Sequence, residues 1–127
     1  MGESWEVVLG RVLGALAEQG FELLTPLYWS GTLSTRLGVE VPAQVVLGVS
    51  RPALTYAALQ AEPSVGVLLP WQLVVRAEDD CTTVVEAANL QFLVALTGNR
   101  LLEPVLAAAS RGLAAAMKSL TPVTSDL

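Results

Sequence analysis

The stretch Ala43-Gln44-Val45-Val46-Leu47-Gly48-Val49-Ser50-Arg51-Pro52 decides the fold. Ala43 to Val49 is strongly apolar and β-branched, which predicts a strand. Pro52 falls near the first turn of a helix, where its missing N–H costs nothing. That helix is expected to reach Gln60 or Ala61 and to stop before Glu62-Pro63, because the residue before a proline is pushed out of the helical region. Val67 to Arg76 reads as the next strand. Glu78-Asp79-Asp80 makes a polar turn, and Cys81 to Ala88 returns as the second arm of an antiparallel hairpin.

Working outward from there, Ser4 is placed to cap a helix from Trp5 to about Gln19. Trp5, Val8, Leu9, Val12 and Leu16 fall three or four apart and form one apolar stripe. Gly20 ends that helix. Phe21 to Trp29 is a strand in which Pro26 lacks a donor, so the strand belongs at a sheet edge or carries a bulge. Ser30-Gly31-Thr32 opens a short helix through Arg36 and Leu37 that Gly38 closes. Downstream, Asn89 is placed to cap a helix from Leu90 to Leu96, and Gly98-Asn99 breaks it. A last helix starts near Leu101 or Pro104 and ends near Leu120. Its apolar face is Leu102, Val105, Leu106, Ala109, Leu113, Ala116, Met117 and Leu120.

The expected order is helix, strand, helix, strand, helix, strand, strand, helix, helix. This is an α+β arrangement with a single antiparallel or mixed β-sheet and helices packed on one face. The chain length suits one domain, with an ordered core over about 4–120 and a loose tail over 121–127. No internal repeat or low-complexity linker interrupts it.

Composition narrows the chemistry. There is no histidine and one cysteine, Cys81, in 127 residues. Most proton shuttling near neutral pH, most transition-metal sites and any internal disulfide are thereby removed. No cofactor and no metal is expected. Net charge is −5 and the seven basic residues are scattered, so nucleic acid is not an expected partner. The acidic start lacks the pattern of a secretory signal, Glu6 breaks the myristoylation pattern after Gly2, and no apolar run is long enough to span a membrane. A cytoplasmic location is expected. Apolar residues make up 53 % of the chain and charged residues 15 %, against roughly 25 % charged in an average domain. So few charges over so much surface point to a homodimer that buries part of it.

The runs Arg36-Leu37-Gly38-Val39-Glu40, Leu47-Gly48-Val49-Ser50-Arg51-Pro52-Ala53 and Glu62-Pro63-Ser64-Val65-Gly66-Val67-Leu68-Leu69-Pro70 resemble family 302 of the domains of unknown function. The resemblance extends from about Trp5 to Leu120. It implies a compact fold related to that of the TATA-binding protein, without DNA binding, and a homodimer; it implies no settled activity. This chain departs from the family pattern at three places. Ser50-Arg51-Pro52 stands where the family often has Cys-Asn-Pro, Pro70-Trp71 where it often has Pro-Cys, and Asn89-Leu90 where it has Asp-Pro. Both family cysteines are therefore replaced, which removes a thiol role at these positions.

Individual sites give few chemical leads. Nucleophilic cysteines want a base or cation beside them, whereas Cys81 follows Asp79 and Asp80. Glu78, Asp79 and Asp80 lack the alternating donors of a calcium loop and read as a solvated turn. Ser50 and Arg51, at a strand end and a helix start, could hold a small anion. Trp71, Trp29 and Trp5 suit a pocket, an interface or the core. A serine nucleophile has only Lys118 or a carboxylate to serve as its base, and nothing in the sequence brings Glu62 and Glu86 together.

The favoured reading is a non-catalytic binding or interaction domain acting as a homodimer. One alternative is a small-anion or metabolite binder using Ser50, Arg51, Trp71 and Asn89. Another is a histidine-free enzyme that uses carboxylates. A pocket lined by Arg51, Trp71 and Asn89 favours the former, and two converging carboxylates the latter.

Overall fold

The computed structural model describes residues 4–120. The tail expected over 121–127 and the start of the chain through residue 3 lie outside the described residues. The elements are α1 (Trp5–Glu18), β1 (Glu22–Tyr28), α2 (Trp29–Leu37), β2 (Gln44–Ser50), α3 (Pro52–Ala61), β3 (Trp71–Ala77), β4 (Thr83–Ala87), α4 (Phe92–Thr97) and α5 (Glu103–Lys118). This is the order the sequence predicts. Two 3₁₀ turns, Pro63–Leu68 and Arg100–Leu102, were not anticipated. The first of them shortens the predicted strand from Val67: Val67 and Leu68 close the turn, and β3 begins only at Trp71.

The strands form one antiparallel sheet in the order β1-β2-β3-β4. Alternation along the strands separates its two faces. Val45, Leu47 and Val49 of β2, Trp71, Leu73 and Val75 of β3, and Thr83 and Val85 of β4 are buried. They share a core with Val8, Val12 and Leu16 of α1 and with Leu106, Ala109, Leu113, Ala116 and Met117 of α5. On the opposite face Leu27, Val46 and Val74 stand in one row that ends at Glu86. There Arg76 Nε donates to Glu86 Oε1 at 2.9 Å, a diagonal cross-strand pair on a half-buried surface.

The predicted helix faces account for this packing. In α1, Val8, Val12 and Leu16 turn inward, while Trp5 and Leu9 are half-buried at the margin. Ser4 occupies the N-cap position, but its side chain makes no capping hydrogen bond. Gly20, Gly38 and Gly98 end their helices with positive φ (82°, 67° and 69°), a conformation that costs glycine little. Pro26 lies on an edge strand, the first of its two predicted alternatives: it pairs in register with Leu47, and the shift in the β1–β2 register falls earlier, between Leu23 and Thr25.

No helix among the described residues is long and apolar enough to cross a membrane.

Candidate functional site

The motif residues around Gly48 and Pro70 are neighbours in space. β2 and β3 pair so that Gly48 faces Gln72 and Val49 faces Trp71. A Cβ on Gly48 would lie 2.7 Å from Pro70 Cγ and 2.9 Å from Thr25 Cγ2. Only a residue without a side chain lets the proline ring and the threonine methyl close over the strand. The punctuation that is most distinctive in the sequence thus meets a packing requirement.

At the end of β2 the chain turns into α3. Ser50 is buried, and its hydroxyl is 2.6 Å from Thr55 Oγ1, a link between the strand end and the first turn of the helix. Arg51 occupies the N-cap position, and its carbonyl accepts from the N–H groups of both Leu54 (2.9 Å) and Thr55 (3.0 Å). Pro52 has no N–H. The helix start therefore offers an approaching anion few donors, although anions are generally favoured at such ends. The Arg51 side chain lies along the glycines at Gly20 and Gly112. Its Nε is 3.5 Å from where a Cβ of Gly20 would stand, and one terminal nitrogen is 3.9 Å from that of Gly112.

Trp71 is 1 % exposed and lies in the core, so its ring presents no surface to a ligand. Its Nε1 has no hydrogen-bond partner among the described residues. Asn89 lies beyond β4, and its Oδ1 accepts from the Gln91 N–H at 3.0 Å. It stabilises the turn before α4 but is not the N-cap that the sequence suggests: α4 begins only at Phe92, and Gln91 occupies the N-cap position. Asn89 also lines an open depression of about 270 Å³ with Gln91, Ser110, Leu113 and Met117. Arg51 and Trp71 are not among its walls. Of the four candidate ligand residues, then, Ser50 ends β2, Trp71 opens β3 opposite Val49, Arg51 lies toward α5 and the α1–β1 turn, and Asn89 stands elsewhere beside α5.

The carboxylates have separate partners. Glu62 Oε2 accepts from the Ser64 N–H, and its Oε1 accepts from Asn99 Nδ2. Glu86 is engaged by Arg76. In the exposed turn Asp79 Oδ1 accepts from the Cys81 N–H at 2.8 Å, and this bond holds the Asp79 carboxyl below its ordinary range. Cys81, expected on the returning strand, belongs to the turn and is exposed; β4 starts at Thr83. Among the described residues no group of three or more His, Cys, Asp or Glu is placed to hold a metal ion.

The model of the family described as Domain of unknown function DUF302 matches residues 1–120. The chain belongs to the DUF302 family. A crystal structure of an uncharacterized conserved DUF302 protein from Bacillus stearothermophilus superposes with a TM-score of 0.85, at 23 % identity, over 94 % of this chain and 93 % of that one. That likeness shows the fold. No curated protein matches the chain.

Within the DUF302 pattern, the two positions where the resemblance places cysteines are Ser50 and Trp71. Here they serve packing: one ties strand to helix, and the other fills the core beside it. Sequence reasoning singled out both without seeing that each serves packing. It missed Gly112, whose lack of a Cβ admits the Phe21 ring; a Cβ would sit 2.8 Å from Phe21 Cε2. A glycine inside an alanine-rich helix was the available signal. It also missed how much apolar surface remains along β1 and α2. All seven residues of β1 are exposed, and α2 buries none of its own.

Proposed function

We propose that this DUF302 domain acts by binding rather than by catalysis, and as a homodimer. One observation carries the reading: exposed apolar side chains run along β1, α2 and the segment leading into β2. Between Glu22 and Arg36 that surface carries no charged residue. Monomeric proteins seldom leave large apolar patches in water, and eight large apolar side chains from Leu23 to Val41 are more than a third exposed. The low charge content of the whole chain supports the same view. A cytoplasmic setting belongs to the proposal, since a lone exposed thiol stays unpaired in a reducing compartment.

Sedimentation equilibrium over a micromolar concentration series tests the proposal. A species of twice the 13.4 kDa chain mass is expected. A single species of monomer mass at the highest concentration ends the homodimer reading.

A further inference from the structure

We infer that a slot between α1 and β1 receives α2 of a second copy, and that two such contacts form reciprocally across a two-fold axis. This rests on the homodimer reading and assigns it a contact. The slot follows from the sheet. Leu23, Pro26 and Tyr28 pair with Val49, Leu47 and Val45, so each shares a face with its partner. Those three partners are core residues beneath the helices, yet Leu23 and Tyr28 are 42 % and 46 % exposed. The helix layer thus stops short of the edge strand. It leaves a cavity of about 360 Å³ whose walls include Leu13 and Leu16 of α1 together with Phe21, Leu23 and Val49.

The same chain carries a helix that lacks cover. α2 buries none of its residues. Trp29, Leu33 and Leu37 recur at every fourth position and share one stripe, with Arg36 on its flank. Leu33 is half-buried and Leu37 is 68 % exposed. A helix that lays such a stripe into an apolar groove is a recurring mode of recognition.

Charge and position select this occupant. Glu22 is the one charged residue among the described residues that line the slot. Of the five helices among the described residues, α2 alone carries a basic residue, Arg36, and no acidic one. Arg36 of one copy therefore complements Glu22 of the other at the rim. α2 leaves β1 at its Tyr28 end and stays there, since Ser30 Oγ accepts from the Gln44 N–H, at the start of β2, at 3.3 Å. The slot lies at the Leu23 end. A two-fold axis perpendicular to β1 near its middle sets each α2 beside the slot of the other copy and closes the assembly at two.

The test reverses charge at the contact in the full-length chain: Glu22→Arg, Arg36→Glu and the two together. Val67→Glu, at a position 87 % exposed in the 3₁₀ turn before β3, is the control. Sedimentation equilibrium is expected to give a dimer for wild type and Val67→Glu. Each single reversal should weaken the dimer roughly tenfold, because two symmetric contacts turn from attraction to repulsion, and the double reversal should recover most of that loss. Hydrogen exchange of unmodified wild type at low and high concentration provides a readout that needs no variant. Peptides within 13–23 and 29–37 should slow as dimer forms, and those within 83–87 should not. If wild type is a monomer, both the homodimer reading and this contact fall. If wild type is a dimer that both single reversals leave unchanged, or the double reversal is no tighter than the singles, only the docking of α2 falls. Concentration-dependent protection confined to other peptides likewise overturns the docking of α2 and leaves the homodimer standing.

Discussion

β1 and β4 terminate the same sheet and differ in almost every other respect. β4 is five residues long and sends Thr83 and Val85 into the core. The chain that follows it returns inward, with Leu90 and Leu93 both buried. β1 is seven residues long, all of them exposed, and it leads into a helix that buries none of its residues. Apolar sequence therefore does not set burial by itself. Coverage of a face by packed helices does: both strands have one strand neighbour, but only β4 sends side chains into the core shared with α1 and α5. The contrast places the buried core in β2, β3, β4, α1 and α5, and leaves β1 and α2 exposed.

The sharpest way to break that contrast is to truncate a large side chain in each region. Trp71→Ala is expected to cost roughly 3–5 kcal/mol in urea unfolding. Leu24→Ala at low protein concentration should stay within about 0.5 kcal/mol. Comparable losses at the two sites would dissolve the distinction. Trp71→Phe should cost much less than the alanine, because it keeps most of the ring volume and removes an indole N–H that has no partner among the described residues.

Glycines refine the comparison. Gly48→Ala and Gly112→Ala each force a Cβ against an occupied position, Pro70 in one case and Phe21 in the other. Each should lose about 1–3 kcal/mol. Gly10→Ala and Gly14→Ala, in α1 with nothing within 4 Å of the added carbon, should gain roughly 0.5–1 kcal/mol. Thermal melts of the four variants should fall on opposite sides of wild type; a shared sign would show that the contacts at Gly48 and Gly112 do not govern the outcome.

Smaller effects belong to the hydrogen bonds at the sheet ends. Ser50→Ala removes the bond to Thr55 and should cost about 1 kcal/mol without altering the mass of the assembly. In the turn at the other end of β3, the Cys81 N–H holds the Asp79 carboxyl below its ordinary value. A group whose folded pKa is depressed adds stability above its unfolded pKa and loses it as pH falls through the folded one. Wild type should therefore be slightly more stable than Asp79→Ala above about pH 4, and the gap should narrow on further acidification. A gap that widens toward acid would reverse the assignment.

Much of this was legible in the chain. The β-branched run before Pro52, the stripe of α1 and the long face of α5 follow a period of two or of 3.6 residues and were found where expected. Pro26 announced an edge or a bulge, and β1 is an edge strand. The 3₁₀ turn at Pro63–Leu68 was hidden because Val65, Val67 and Leu68 look like strand residues. Propensity there yields to the buried Val65 side chain and to the turn geometry set by Pro63 and by Glu62 accepting from Ser64. The candidate ligand residues were chosen at element ends, which periodicity locates well. Whether they converge depends on crossing angles that periodicity does not encode.

The sequence by itself determined the element order, the α+β class, the family and the scarcity of catalytic groups, because these rest on local spacing and on residue types. The tertiary structure alone decided that Gly48 lies under Pro70, that Trp71 is core, and that β1 and α2 bury none of their residues. Those outcomes depend on which distant segments come together, and van der Waals contact between them is defined only once the sheet and the helices have packed.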